Sequence, residues 1–416
     1  MIPRIDRSEV GAVARRHRRE DADTMRRVAA IVEQVRAGGA EALRRLGVRF
    51  GDIDETEPLV VTRDEMGRAL DRLPDRHRAV LEAVADRIRR FAAAQRAALT
   101  DLTVPVHGGT AGHRWIPVER AGAYAPAGRY PLPSSVLMTV IPARVAAVDQ
   151  VWVASPRPSD LVLAATSIAD ADALIPVGGA QAIAALAFGT VGPACDLVVG
   201  PGNRWVTAAK RYLYGEIGID GLAGPSEILV IADDEADPDL VASDLLAQAE
   251  HDPDAVPMLV TLSSEMADEV VDRVEHQVVD LTTADIAGKA VGNGFCVVVD
   301  TIDEAASVSD EIAPEHLALH IRDAEQRLED FGSYGSVFVG ATSAEVFADY
   351  GAGPNHVLPT GGGARFQSGL SVLTFLRSPT WLVLDEPDRL VDDTALLASL
   401  EGLVAHETAA RRRSGM

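Results

Sequence analysis

Between residues 150 and 215 the chain repeats one pattern three times: a short apolar run, a Gly- or Pro-marked turn, then a helix-like stretch. "VWVASP" leads into "DLVLAATSIADA", "ALIPVGG" into "AQAIAALAFGT", and "CDLVVGPG" into "NRWVTAAKRYLYG". Strands that are apolar at consecutive positions, rather than alternate ones, have both faces covered. Joined by helical crossovers, such strands form a parallel sheet with helices on its faces. A second series starts at 227, where "EILVIAD", "VPMLVTLS", "GFCVVVD", "HLALHI" and "GSVFVG" read as strands with helical stretches between most of them. The expected fold is α/β with two parallel-sheet halves.

Residues 1–100 are mostly helical in pattern. "DTMRRVAAIVEQVRAGGAEALRRL" and "RHRAVLEAVADRIRRFAAAQRAAL" carry Ala, Val, Leu and Ile at helical spacing. The stretch 388–413 also reads as helix and can reach a partner subunit. The expected division has an N-terminal extension, 1–21, and a discontinuous Rossmann-like domain, 22–119 with 229–369. A second Rossmann-like domain spans 120–228, and a C-terminal extension spans 370–416.

A formal charge of −23 argues against a nucleic-acid binder. The basic run "RRHRRE" is followed at once by "DAD", as on a solvated helix face. No apolar run is long enough to cross a membrane, and the N-terminus has no signal-peptide core. Cys195 and Cys296 sit in apolar, strand-like surroundings, so packing and a reducing cytoplasm are expected rather than a disulfide.

Several stretches offer chemistry. "LLAQAEHDPD" reads as a helix end whose Gln248 and His251, three apart, leave one face. In "VVGPGNRWVTAAK", Gly200 and Gly202 permit close backbone approach, and the next helix has N–H groups for a phosphate; a tight turn with no ligand explains the stretch equally well. "PVGGAQAIAALA" is a similar turn, with Gln181 early in its helix. "AGAYAPAGRYPLPSSVLM" reads as an ordered loop holding Tyr124, before a helix capped by Ser134 or Ser135. "IAPEHLALH" places Glu315 and His316 at a strand start, a carboxylate and an imidazole suited to base work and water activation. "FADYGAGPNHVLPTGG" brings Asp349 and His356 to either side of a Gly/Pro turn, and "EGLVAH" carries Glu401 and His406. Gln248, His251, Asp349 and His356 together offer two imidazoles and two oxygens to zinc or a similar ion. Spacing alone does not assemble them.

In this order, "GPGNRWVTAAK", "IDGLAGPSEILVIAD", "LLAQAEHDPD", "APEHLAL", "DYGAGPNHVLPT" and "EGLVAH" resemble the histidinol dehydrogenase family over roughly residues 20–406. The resemblance implies a homodimeric, zinc- and NAD-dependent enzyme of histidine biosynthesis. Such an enzyme oxidises L-histidinol to L-histidine through L-histidinal. By motif it makes Gln248, His251, Asp349 and a partner-supplied His406 the ligands of one zinc per subunit. Glu315 and His316 become catalytic. Ser226, Gln248, His251, Glu315, His316, Asp349, His356, Glu401 and His406 bind substrate, which moves His356 from the metal to the substrate. Tyr124, Gln181 and Asn203 bind NAD. Departures occur in "YAPAG", which lacks the family's double glycine beside Tyr124, in "SPRPSD", in "FLRSPTWLVLDEP" and in the tail after His406; none removes a proposed ligand or the Glu315–His316 pair. The alternative is a paralogue acting on another polar alcohol, such as a sulfonated diol.

Overall fold

The computed structural model describes residues 2–16, 22–127 and 131–415. The basic run at 15–20 and the centre of the Gly/Pro loop at 128–130 fall largely outside them.

The chain begins with helices α1 (Val10–Arg16) and α2 (Ala22–Phe50), strand β1 (Val61–Thr62), and helices α3 (Arg63–Arg72) and α4 (Asp75–Ala97). Three strands follow: β2 (Leu102–Val106), β3 (Gly109–His113) and β4 (Ile116–Pro117). The first βα series is β5 (Arg120–Tyr124), α5 (Pro133–Val145), β6 (Gln150–Ala154), α6 (Asp160–Ile168), β7 (Ala173–Ile175), α7 (Gly179–Phe188), β8 (Leu197–Val199), α8 (Arg204–Leu213) and β9 (Gly218–Ile219). The second opens with β10 (Glu227–Ala232), α9 (Pro238–Ala249), β11 (Val256–Thr261), α10 (Ser264–Val278) and α11 (Ala284–Val291). It continues through β12 (Phe295–Val298), α12 (Ile302–Ile312), β13 (His316–His320), β14 (Ser336–Val339) and α13 (Glu345–Asp349). The chain closes with β15 (Leu376–Arg377), β16 (Thr380–Leu384), α14 (Asp388–Leu400) and α15 (Val404–Arg411).

Two parallel sheets result, as expected for this α/β pattern. The first has the order β1-β7-β6-β5-β8-β9, parallel except for the edge strand β1. The second, β12-β11-β10-β13-β14, is parallel throughout. Every residue of β10 and β11 is buried, which is why both read as unbroken apolar runs.

Three expectations need correction. Arg120–Tyr124, read as a loop, is the strand at the centre of the first sheet. Its residues are small because Leu186 packs over it; a Cβ on Gly122 would lie 2.9 Å from that side chain. Helix α5 starts at Pro133 after Leu132, with no side-chain cap from Ser134 or Ser135. The helices of 22–97 cover the first sheet, to which the expected division did not assign them, and α4 meets 229–369 as well, Arg87 Nε donating to Gly351 O. Val28, Val32 and Leu46 of α2 share a core with Ile183 and Val206, and Val84 and Ile88 of α4 share one with Val136 and Ile141. The N-terminal extension docks on the second sheet instead, where Ile5 N–H donates to Cys296 O at 3.0 Å and Val10 is buried.

The carboxyl end of β9 runs through 220–226 into the amino end of β10, so this segment joins the strand ends of one sheet to the strand starts of the other. Asn355, from the loop after α13, donates to Met138 O of α5 at 2.6 Å and ties the second half to the first.

Candidate active site

The order of the first sheet reverses between β5 and β8, the position where open α/β sheets bind ligands. Tyr124 ends β5 there, and its hydroxyl accepts from Gly179 N–H at 3.2 Å. Burial pushes that phenol up to about 12, so it stays protonated. Gln181 Nε2 and Gly178 N–H both donate to Asp52 Oδ2, at 3.3 and 3.0 Å. Asn203 caps α8, its Oδ1 accepting from Trp205 and Val206 N–H at 3.0 and 3.3 Å. The helix N–H groups read as open to a phosphate are therefore partly taken by Asn203 itself. Gly200, at φ 115°, packs so closely that a Cβ would lie 2.1 Å from Tyr124 O. Asp220 accepts from Gly200 N–H at 2.7 Å and from the buried Lys210 ammonium at 2.6 Å, while Lys210 also donates to Gly200 O.

The second half of the site is built at the amino ends of β10 and β13. Crossover helices run antiparallel to their strands, so the carboxyl end of α9 lies at this same edge. Gln248 sits in its last turn, fully buried. His251 lies just beyond the helix, its N–H donating to Gln248 O at 3.3 Å, and its ring is exposed. Partial negative charge at a helix end favours a cation there. His251 Nε2 stands 3.8 Å from Asp349 Oδ2, at the end of α13. Glu345, one turn earlier, completes a set of three donors whose atoms lie within 4.8 Å of one another. His356 donates from Nδ1 to Asp349 O at 3.2 Å, and burial holds its imidazole down to about 4.

His316 begins β13 among oxygens. Its Nδ1 lies 3.0 Å from Gln248 Oε1, 3.2 Å from Glu227 O, 3.5 Å from Glu345 Oε1 and 3.9 Å from Glu315 Oε2. The Gln248 amide oxygen and the Glu227 backbone carbonyl can only accept, so the ring proton resides on Nδ1. Nε2 is then a bare lone pair, buried and without a partner in the described protein. Burial lowers this imidazole to about 3, keeping it neutral. Glu315 Oε2 accepts from Glu227 N–H at 3.0 Å, and Ser226 bonds the same carboxyl. Burial raises the Glu315 carboxyl well above its usual range, with Glu227 and Asp349 adding repulsion.

Glu401 and His406 lie apart from all this. Both are exposed on the α14–α15 hairpin, and His406 is absent from the donor cluster of its own chain. The other residues expected around the metal and substrate converge: Ser226, Gln248, His251, Glu315, His316, Asp349 and His356. Sequence reasoning missed Glu345, Asp52, and the Lys210–Asp220 pair. For Glu345 a signal existed, since in "AEVFADYG" it stands four before Asp349 and shares its helical face.

A family model described as histidinol dehydrogenase matches residues 14–414. The chain belongs to the histidinol dehydrogenase family. It is 44% identical to a histidinol dehydrogenase of Haloarcula marismortui, over 92% of each chain. With one from Natronomonas pharaonis it shares 45% identity, over 94% of each. The crystal structure of histidinol dehydrogenase from Elizabethkingia anophelis superposes with a TM-score of 0.93 at 32% identity, covering 99% of this chain and 98% of that one. The family is one of oxidoreductases, and the two parallel sheets described above are its fold. Among the described residues no helix is long and apolar enough to cross a membrane.

Proposed function

We propose that this chain oxidises L-histidinol to L-histidine through L-histidinal, with NAD and one zinc ion per subunit, as a cytoplasmic homodimer. The observation that carries the proposal is the His316 ring, anchored through Nδ1 with Nε2 free, beside the Glu315 carboxyl and the His251–Asp349 donors. Other observations support a metal. Glu345 Oε2 is buried without a partner, and the carboxyls of Glu315, Glu345 and Asp349 are all raised, mainly by burial. A cation is the missing counter-charge, and a nitrogen–oxygen donor set suits zinc. Gln248, His251 and Asp349 would hold it with His406 of the partner subunit. When bound, zinc supplies a Lewis acid that anchors the substrate's amine and imidazole.

The chain's own groups then divide the work. His316 Nε2 accepts the hydroxyl proton as the carbinol carbon gives up its hydride to the nicotinamide. Glu315 takes a proton from the water that adds to the aldehyde, and the hydrated carbon yields a second hydride. Ser226 orients Glu315, while His356 and the partner subunit's Glu401 complete the substrate pocket. Tyr124, Gln181 and Asn203 line the NAD site at the switch point, where NAD supplies the hydride acceptor.

A dimer accounts for otherwise unpartnered surface. Leu396, Leu397, Leu400 and Val404 are exposed on the α14–α15 hairpin, and Phe347 and Tyr350 are exposed on either side of Asp349. The buried free thiols of Cys195 and Cys296 agree with a reducing compartment.

The direct test is NADH formation from L-histidinol against a panel of polar alcohols that includes a sulfonated diol. L-histidinol should be the best substrate and yield two NADH per molecule. Faster turnover of another alcohol would overturn the assignment. The cofactor half is tested at Gly200, where alanine must adopt a left-handed conformation and crowd Tyr124 O. Gly200→Ala should cost on the order of 1–3 kcal/mol in backbone strain. Displacement of Tyr124 should raise the KM for NAD roughly tenfold or more. An unchanged KM in a folded variant would remove this loop from the NAD site.

A further inference from the structure

Glu345 is a buried carboxyl to which the proposed reaction gives no task. It is 2% exposed, on the first turn of α13, and its Oε2 has no partner. Burying such a group is unfavourable unless something compensates. Its Oε1 lies 3.5 Å from Nδ1 of His316. The carboxyl next to His316 in sequence, Glu315, is poorly placed for the same job. Its Oε2 is 3.9 Å away and already accepts from Glu227 N–H. Gln248 Oε1 is nearer, at 3.0 Å, but it is the oxygen that the reading above assigns to zinc.

We propose that Glu345 is a positioning residue that holds the His316 ring through Nδ1, so that Nε2 stays aimed at the substrate hydroxyl. The proposal rests on His316 being the base of the proposed oxidation. With Gln248 Oε1 committed to the metal, Glu345 supplies the side-chain acceptor that keeps the ring from turning, alongside the Glu227 carbonyl. A carboxylate behind an imidazole fixes both its tautomer and its orientation. Glu345 touches neither substrate nor cofactor in this role.

The test uses the zinc-loaded full-length protein with Glu345→Ala and the isosteric Glu345→Gln, which keeps an acceptor oxygen and guards against misfolding. In Glu345→Ala, kcat should fall by about 10- to 100-fold, with KM and zinc content little changed. Glu345→Gln should restore most of that loss. Crystal structures of the variants supply a readout that needs no turnover: the His316 ring should rotate or split into two orientations in the alanine variant and stay fixed in the glutamine one. Loss of zinc from Glu345→Ala would overturn the proposal and make Glu345 a metal ligand. A fixed ring with full kcat would overturn it as well. If the wild-type chain fails to oxidise L-histidinol while the ring still turns in Glu345→Ala, the substrate assignment falls and the positioning role stands.

Discussion

Heterodimers that pair a His251→Asn chain with a His406→Asn chain should recover up to about half of the wild-type activity per dimer, although each parent homodimer is inactive. The reason is geometric. His251 lies beside the buried Asp349, whereas His406, on α15, joins no donor group among the described residues of its own chain. If each site takes His406 from the neighbour, a mixed dimer holds one site with both lesions and one with neither. Co-expression with two tags, tandem purification and an NADH assay would measure the recovery. Purified heterodimers without activity would mean that His406 acts within its own chain or is not a ligand.

Replacing Glu315 by Gln should separate the two oxidation steps. Glutamine still accepts from Glu227 N–H, so the strand start is retained. It cannot take a proton from water, and aldehyde oxidation should fall by about 10²- to 10⁴-fold while the alcohol step suffers less. The pH dependence has a defined sign. Burial raises the Glu315 carboxyl well above its usual range, and a base works only when ionised. Wild-type aldehyde oxidation should therefore decline as pH falls through that raised value, and this limb should vanish in the variant. Single-turnover assays started from L-histidinal and from L-histidinol distinguish the steps. Both steps untouched in a folded variant would remove Glu315 from the chemistry.

The second sheet was legible because its strands are buried on both faces, and every strand read there is present. The central strand of the first sheet was not. Ala121, Gly122 and Ala123 have the composition of a loop, and only the position of Leu186 explains why small residues are required. The antiparallel strands β2, β3 and β16 also escaped notice, since they lie mostly near the surface and stand outside both βα series. At the site, local patterns identified the Glu315–His316 pair and the helix end at Gln248. The convergence of Asp349 and His356 with them depends on tertiary contacts between distant segments, and it followed only from the family resemblance. Glu345 was hidden by its ordinary look as a helix-start glutamate. Asp52 and Asp220 do their work by bonding backbone N–H groups far away in sequence.

The segment 220–226 does more than connect two sheets. At one end Asp220 is bonded to Gly200, and at the other Ser226 bonds Glu315. Between them Thr207 Oγ1 donates to Ala223 O at 2.7 Å, and Gly224 N–H donates to Thr360 Oγ1. A strap pinned at both ends and in the middle acts as a ruler between the Tyr124–Gly200 end of the first sheet and the Glu315–His316 start of β13, not as a hinge. An added residue here has no slack into which it can bulge, unlike one added to an exposed loop tip. Redesign for a different alcohol can alter the pocket walls on either side, but it must leave the length of this strap alone.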